Sequence, residues 1–340
     1  MRKLFKNLTF VLFALVFLGV FAGCGNNTET SKVSNEESKV FRLGIPGSDD
    51  ALSGELMNLA YSSGYLKEEL NNAGYELEVV SFPGAGPAVN ESLAGGSIDA
   101  AAYGDLPNIV SNANGINTTI IATANEQIPL GIISSNPDIK TAKDLEGKKV
   151  IVTSGTIMSY FWDQYVSANN LDSSKIELIN TVDPVSLLST KQADAYVSPL
   201  TTVNLLSGMG LGNVFDDSTK YQLNDSQAVV AVRNAYLKNN EAAAIAVNKA
   251  LIRAYKSAVE NPDIFYTALE SANLPKSIVK TGYAWNETLS QLNPELTSRA
   301  ISNLDNLKNW AKKNNLISTD INIDSIVNNS YYEKAKADIK

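Results

Sequence analysis

Apolar and polar residues alternate along this chain in short runs whose period changes repeatedly, and the changes mark its elements. Phe41-Arg42-Leu43-Gly44-Ile45 alternates as a strand does, and after a polar stretch Leu52, Leu56, Leu59 and Ala60 recur at helical spacing. Tyr75 to Phe82 (YELEVVSF) repeats the strand pattern. Pro83-Gly84-Ala85-Gly86-Pro87 then leads into a short helix through Leu93, with Pro87 suited to a first turn. Strands are expected at Ile98 to Tyr103 and Thr118 to Ala124, with the loop-to-helix junction Gly104-Asp105-Leu106-Pro107 between them. The pattern continues with Leu130 to Ser134, a capping-box spacing at Thr141 to Asp144, and a strand from Lys149 to Thr153. A helix over Met158 to Asn169, a strand over Ile176 to Asn180, a helix opened by Asp183-Pro184 and a strand over Ala193 to Ser198 follow. Beyond Ala242 only helical periods remain: Ala242 to Glu260, Pro262 to Ala272, Pro294 to Asn314, and a short final helix at Glu333 to Lys336.

Such strand and helix alternation predicts an α/β protein with open parallel sheets. At 340 residues the chain suits two compact lobes, since a domain takes roughly 100 to 200 residues. The two halves echo one another. Phe82-Pro83, a short helix, Ile98-Asp99-Ala100 and Pro107 parallel Val182-Asp183-Pro184, a short helix, Ala193-Asp194-Ala195 and Pro199. Asp99 and Asp194, each placed before an Ala at a strand start, are read as structural. The expected division is a first lobe of residues 41–125 plus about 225–340, which carries the C-terminal helices, and a second lobe of about 126–224.

The start of the chain follows other rules. Arg2, Lys3 and Lys6 precede the apolar run Leu8 to Ala22, which is too short to cross about 30 Å of hydrocarbon comfortably and reads as an export signal. That run closes with Phe21-Ala22-Gly23 before Cys24, which resembles the lipobox of bacterial lipoproteins. The resemblance implies removal of residues 1–23 and lipidation of Cys24, which anchors the protein to a membrane. Residues 25–39, GNNTETSKVSNEESK, are polar and charged, so 24–40 is expected to be a flexible tether.

Composition removes whole classes of chemistry. Apolar residues make up 44% of the chain, enough for a sizeable core, and the net charge of −8 disfavours nucleic acid as a partner. With no histidine and one cysteine, Ser-His-Asp and Cys-His nucleophile systems, HExxH zinc sites and cysteine-rich zinc sites cannot be assembled. No cofactor and no metal are expected. Gly84-Ala85-Gly86 follows a strand, but Val89 takes the third glycine position of a dinucleotide fingerprint and Pro87 interrupts it. Ser277-Ile278-Val279-Lys280 lacks the companion motifs of penicillin-binding enzymes. Asp49-Asp50 and Asp216-Asp217 read as surface loops rather than calcium or acid-base pairs.

What remains is a set of loops that each end in a helix start: Asp50 to Gly54, Gly84 to Ala88, Gly104 to Asn108 and Ser154 to Met158. In parallel sheets such loops gather at the carboxyl ends of the strands, where ligands bind. Free N–H groups and about half a positive charge at a helix start hold an anion without Lys or Arg. Small residues at these places (Ser53, Gly54, Gly86, Ser154, Gly155, Thr156) let an anion come close to backbone N–H and hydroxyl donors.

The signal with Cys24, FPGAGPAVNESLAGGSIDAAAYGDLP from Phe82 to Pro107 and IKTAKDLEGKKVIVTSGT from Ile139 to Thr156 together resemble the substrate-binding lipoproteins of ABC importers, in the aliphatic-sulfonate, taurine and nitrate branch. The resemblance covers about 300 residues. It implies a two-lobed, periplasmic-binding-protein-like fold with a ligand cleft between the lobes and C-terminal helices. It implies a non-enzymatic, extracytoplasmic and monomeric protein that hands a small solute to an ABC permease. It points to Ser53, Gly54, Gly86, Pro87, Gly104, Asp105, Ser154, Gly155, Thr156 and Met158 as ligand residues. Tyr160 and Trp162 are candidates for an apolar wall, although a spacing of two puts them on different helix faces. Ser198, at the end of the strand before Pro199, completes the set. Relatives often carry an aromatic-rich loop after the second Asp-Ala strand, where this chain has Tyr196-Val197-Ser198-Pro199-Leu200. Asp105 would repel a sulfonate unless it turns away or meets an amine such as that of taurine. The competing expectations are an enzyme on the same scaffold, such as a pyrimidine-precursor protein, and a surface sensor.

Overall fold

The computed structural model describes residues 39–46, 55–82, 85–221, 223, 226–270 and 274–339; Cys24, Ser53, Gly54 and the Asp49-Asp50 pair lie outside them. The described strands are β1 (Lys39–Pro46), β2 (Tyr75–Phe82), β3 (Ala100–Gly104), β4 (Thr118–Ile128), β5 (Leu130–Ser134), β6 (Lys149–Ile151), β7 (Glu177–Ile179), β8 (Ala195–Pro199), β9 (Asn213–Asp217) and β10 (Ser226–Arg233). The helices are α1 (Glu55–Ser62), α2 (Tyr65–Asn72), α3 (Ala85–Gly95), α4 (Asp105–Ala113), α5 (Ile157–Ala168), α6 (Pro184–Ser189), α7 (Leu200–Gly208), α8 (Asn234–Leu237), α9 (Glu241–Glu260), α10 (Pro262–Glu270), α11 (Lys276–Tyr283), α12 (Ser298–Lys313) and α13 (Ser330–Asp338).

The strands form two five-stranded sheets, ordered β2-β1-β3-β10-β4 and β7-β6-β8-β5-β9, with helices packed on their faces. The fold is the two-lobed α/β class expected from the sequence. Its sheets differ from the expected all-parallel kind, because one strand in each runs against the others. β10 is antiparallel to β3 and β4, and β5 is antiparallel to β8 and β9. These two strands are the ones that follow a crossing between lobes. The chain passes from β4 to β5 through Pro129 alone and returns between β9 and β10. A strand entering a sheet directly from the neighbouring lobe has no crossover helix to reverse it, so it pairs antiparallel. The register of the parallel part is regular, with Lys39 opposite Tyr75 and Pro46 opposite Phe82.

Neither β9 nor β10 is expected from periodicity. β10 reads SQAVVAVR and is buried on both faces, so the alternation that marks a half-exposed strand is missing. The helix expected from Pro294 begins at Ser298, where Thr297 Oγ1 accepts from Ala300 N at 3.0 Å. Two apolar clusters enclose the first sheet, one with Phe41, Leu43 and Leu251, the other with Val89, Ile109 and Leu307. The second sheet has its own pair, around Val150, Trp162 and Tyr165 and around Ile133, Leu200 and Val203. Each such fully buried aliphatic side chain contributes roughly 1.5–3 kcal/mol relative to exposure.

The echo between halves has a physical basis. Before β3, Asp99 Oδ2 accepts from Arg42 N at 3.0 Å, and before β8, Asp194 Oδ2 accepts from Lys149 N at 2.9 Å. Each aspartate fastens the adjacent parallel strand to the start of its own, Asp99 at the middle of β1 and Asp194 at the first residue of β6.

Candidate functional site

In the first lobe the sequence-predicted residues sit where α3 and α4 begin. Gly86 lies against Pro107, and a β-carbon at Gly86 would come within 2.4 Å of Pro107 Cγ. Gly86 is therefore a close-packing position that brings two helix starts together. Asn90 Nδ2 donates to Pro107 O at 2.9 Å and holds the same contact one turn on. Gly104 precedes α4 with extended backbone, and Pro87 lies exposed in the first turn of α3.

Asp105 corrects the sequence expectation. It is fully buried, Oδ1 accepting from Leu106 N at 2.8 Å and Oδ2 from Gln227 N at 2.9 Å. Burial pushes its carboxyl up to about 7, with the backbone N–H bonds acting in the opposite direction. A carboxylate spent on the backbone of α4 and β10 faces neither a sulfonate nor an amine in the cleft.

In the second lobe Ser154 and Gly155 are exposed between β6 and α5. Gly155 has φ +69°, left-handed backbone that favours glycine. Thr156 caps α5: its hydroxyl accepts from Met158 N at 3.2 Å and donates to Thr153 O at 2.6 Å, while its N–H donates to Ser159 Oγ at 3.1 Å. Met158 is half-buried just inside the helix. Ser198 is 3% exposed and donates to Tyr196 Oη at 3.2 Å, so its hydroxyl is turned into the lobe.

Tyr160 and Trp162 are both buried, on different faces of α5 as their spacing requires. Tyr160 packs into the first lobe's cluster, its ring 5.2 Å from that of Trp310, whereas Trp162 joins the second lobe's core beside Tyr165. One turn from Tyr160, Asp163 Oδ2 accepts from Trp310 Nε1 at 2.8 Å. This contact between α5 and α12 joins the lobes. A second one lies at α7 and α11, where a β-carbon on Gly282 would come within 2.8 Å of Thr201 Cγ2. No local sequence signal marks Trp310, Gly282 or Thr201 as partners across the lobes.

A cavity of about 470 Å³ lies where these parts meet, lined by Pro87, Leu106, Pro107 and Val110 of the first lobe, Gly155 of the second and Leu316 after α12. Of the sequence-predicted residues it brings together Pro87 and Gly155, with Gly86 and Thr156 adjacent to them. A larger groove of about 860 Å³ runs along the second half of α5 past Ser167, Leu178 and Leu223 and reaches Asp163, Trp310 and Lys313 at the α5–α12 contact. The pair Asp216-Asp217 is not a surface loop: Asp216 is buried, its Oδ2 accepting from Tyr165 Oη at 2.8 Å and Tyr221 Oη at 2.5 Å, with Lys220 Nζ 3.2 Å from Oδ1. Among the described residues no group of three or more His, Cys, Asp or Glu is placed to hold a metal ion, and no helix is long and apolar enough to cross a membrane.

Residues 57–264 match the family model described as NMT1/THI5 like. None of the curated proteins matches the chain in sequence. Among solved structures, the periplasmic sulfonate-binding protein SsuA of a sulfonate ABC transporter from Methylobacillus flagellatus is similar at a TM-score of 0.78 and 20% identity, covering 88% of this chain and 94% of its own. The periplasmic nitrate-binding protein NrtA from Synechocystis gives 0.68 and 15%, covering 89% and 90%. The desulfurization enzyme DszB gives 0.72 and 15%, covering 89% and 100%. The chain thus belongs to the NMT1/THI5-like family and shares the two-lobed fold of periplasmic solute-binding proteins.

Proposed function

We propose that the protein is the solute-binding component of an ABC importer and captures a small organic anion or zwitterion, a sulfonate or taurine-like molecule, by closure of its two lobes. The carrying observation is the cavity at which the starts of α3 and α4 from one lobe meet the start of α5 from the other. Helix N-termini supply N–H donors and positive potential; no Lys or Arg lines that cavity, and its one charged lining residue is Glu91, two turns at most from the start of α3, whose carboxylate works against an anion and favours a solute that also carries a positive group. Ligand contacts to both lobes favour the closed form by differential binding, and a membrane permease would read that closure. The lobes would comprise residues 41–125 with about 225–340, and about 126–224. A lipidated Cys24 would hold the monomeric protein at the outer face of a membrane.

The fold also houses an enzyme, as the desulfurization protein shows. No residue lining this cavity carries a hydroxyl, thiol or amine, and the hydroxyl of the adjacent Thr156 is engaged with Met158 N and Thr153 O, which favours binding over covalent chemistry. The test is the melting temperature of protein unfolded and refolded to strip carried ligand, measured with ethanesulfonate, taurine, nitrate, acetate and pyrimidines. Ligand at a hundred times its dissociation constant adds about 2.7 kcal/mol of stability. A rise with the sulfonates is expected; a rise with pyrimidines alone would overturn the anion reading.

A further inference from the structure

The cavity at the helix starts continues away from them as a groove between α3 and α4. At its head the two helices are pinned, Gly86 packing against Pro107 and Asn90 Nδ2 donating to Pro107 O at 2.9 Å. Beyond that contact one stripe of each helix lines the space, Pro87, Asn90 and Ala94 from α3 and Leu106, Val110 and Asn114 from α4 and its cap. From Leu106 to Asn114 the chain rises about 12 Å at 1.5 Å per residue. The volume of about 470 Å³ is that of a small-molecule site.

The walls of this groove are mostly apolar. Val110, Ile116 and Leu316 are half-buried, each packed on the first lobe's second cluster and each lining the space. A β-carbon on Gly155 would stand 3.8 Å from Leu316 Cδ2, so Leu316 closes the groove against the second lobe. Polar groups are few. Asn90 spends its Nδ2 on Pro107 O and its Oδ1 has no partner, while Glu91 is exposed and enters no ion pair or hydrogen bond among the described residues. A compact oxyanion gains nothing from unmatched acceptors and aliphatic side chains, whereas an apolar segment gains by leaving water. An exposed carboxylate such as Glu91 changes affinity by about fivefold at most, so the apolar walls carry the selection.

We infer that the groove between α3 and α4 is a specificity-determining subsite that takes the apolar body of the solute, and that the protein selects elongated acids, with a chain or ring of several carbon atoms, over compact ions such as nitrate or taurine. The acid group stands at the helix starts, where Pro87, Pro107 and Gly155 bound the cavity, and the body runs toward Ala94 and Ile116. A second acid group on that body would meet Glu91 and find no cation in the walls. The inference rests on the proposed capture of an anion at those helix starts and narrows its solute, but the apolar walls stand on their own residues.

The experiment is calorimetric titration of the purified, ligand-stripped protein with ethanesulfonate, hexanesulfonate, acetate and hexanoate. A fully buried methylene is worth about a fourfold gain in affinity, and one lying in an open groove about twofold. Hexanesulfonate, with four more methylenes, is therefore expected to bind at least about tenfold more tightly than ethanesulfonate, at one site per chain. Ala94 is exposed, so Ala94→Gln is expected to fold as the wild type does, to fill part of the groove and to bring the two within about threefold by weakening hexanesulfonate alone. Val110→Ala, which removes part of one wall, is expected to shrink the preference part way. Equal affinities for the two sulfonates, or a ratio unchanged in both variants, overturn the inference, while binding of ethanesulfonate leaves capture of an anion standing. A similar preference for hexanoate over acetate that Ala94→Gln removes, with neither sulfonate bound, upholds the groove and overturns the sulfonate reading. Failure of both hexanesulfonate and hexanoate to bind overturns the inference.

Discussion

In both lobes an aspartate just before the third strand takes the N–H of the neighbouring strand, Asp99 that of Arg42 and Asp194 that of Lys149. The sheets share one order, with β7-β6-β8-β5-β9 repeating β2-β1-β3-β10-β4 position by position. Their helix starts differ. At α4 of the first lobe the residue that opens the helix is a buried aspartate committed to backbone, whereas at α5 of the second lobe an exposed Ser154-Gly155 pair precedes a threonine cap. The comparison teaches that one architecture fixes where loops gather, while single residues decide whether a helix start is sealed or open to a ligand.

The largest effect should come from contrasting the two strand-pinning aspartates. Asp99 is 3% exposed and also pairs with Arg233 Nη2 at 3.2 Å, so Asp99→Ala leaves the Arg42 N–H unmatched and the partly buried Arg233 guanidinium without its anion, held only by Nε to Ile98 O. A loss on the order of 3 kcal/mol is expected. Asp194 is less buried and its second oxygen accepts from neutral Asn136, so Asp194→Ala should cost about 1 to 2 kcal/mol. Urea denaturation of the two variants checks the order, and equal losses would break the distinction.

Asp105→Asn comes next. The amide can accept one of the two backbone N–H groups but sets a donor against the other, a cost of about 2 kcal/mol. The wild type should also carry a pH signature. The Asp105 carboxyl is raised to about 7 from 3.8, so the folded state holds the proton more tightly than the unfolded state. That contribution is complete below the unfolded value and is lost as pH rises through the folded one, so stability should fall from about pH 4 to about pH 7. Asp105→Asn should remove this slope, as denaturant midpoints measured at several pH values would reveal.

At the opposite helix start Thr156→Ala deletes a cap and should cost about 1 kcal/mol, read as a lower denaturant midpoint with an unchanged slope. Smallest of all, Trp310→Phe keeps an aromatic ring beside Tyr160 and loses the exposed Nε1 bond to Asp163 with a little of the half-buried ring's packing, about 1 kcal/mol or less. A much larger loss would mean that the α5–α12 contact carries more of the union between lobes than its exposure suggests.

Much of this fold can be read from the sequence, because strand, loop and helix each leave a local period. The cap at Thr156 and the loops before α3, α4 and α5 follow from short spacings. β10 cannot be read in this way, since a strand buried on both faces shows an apolar run without alternation. Its antiparallel direction is set by the crossing between lobes, which no local pattern encodes. The inward turn of Asp105 depends on Gln227, and the groove between α3 and α4 depends on Leu316, so both are products of tertiary packing. Gly86, read as room for a ligand, is room for Pro107.

The most direct test of capture between lobes is amide hydrogen exchange of the ligand-stripped protein with and without saturating ethanesulfonate. The account predicts slower exchange at 104–108 and at 154–158 together, one segment from each lobe. Protection confined to one of the two segments, or absent from both while the ligand is bound, would contradict it.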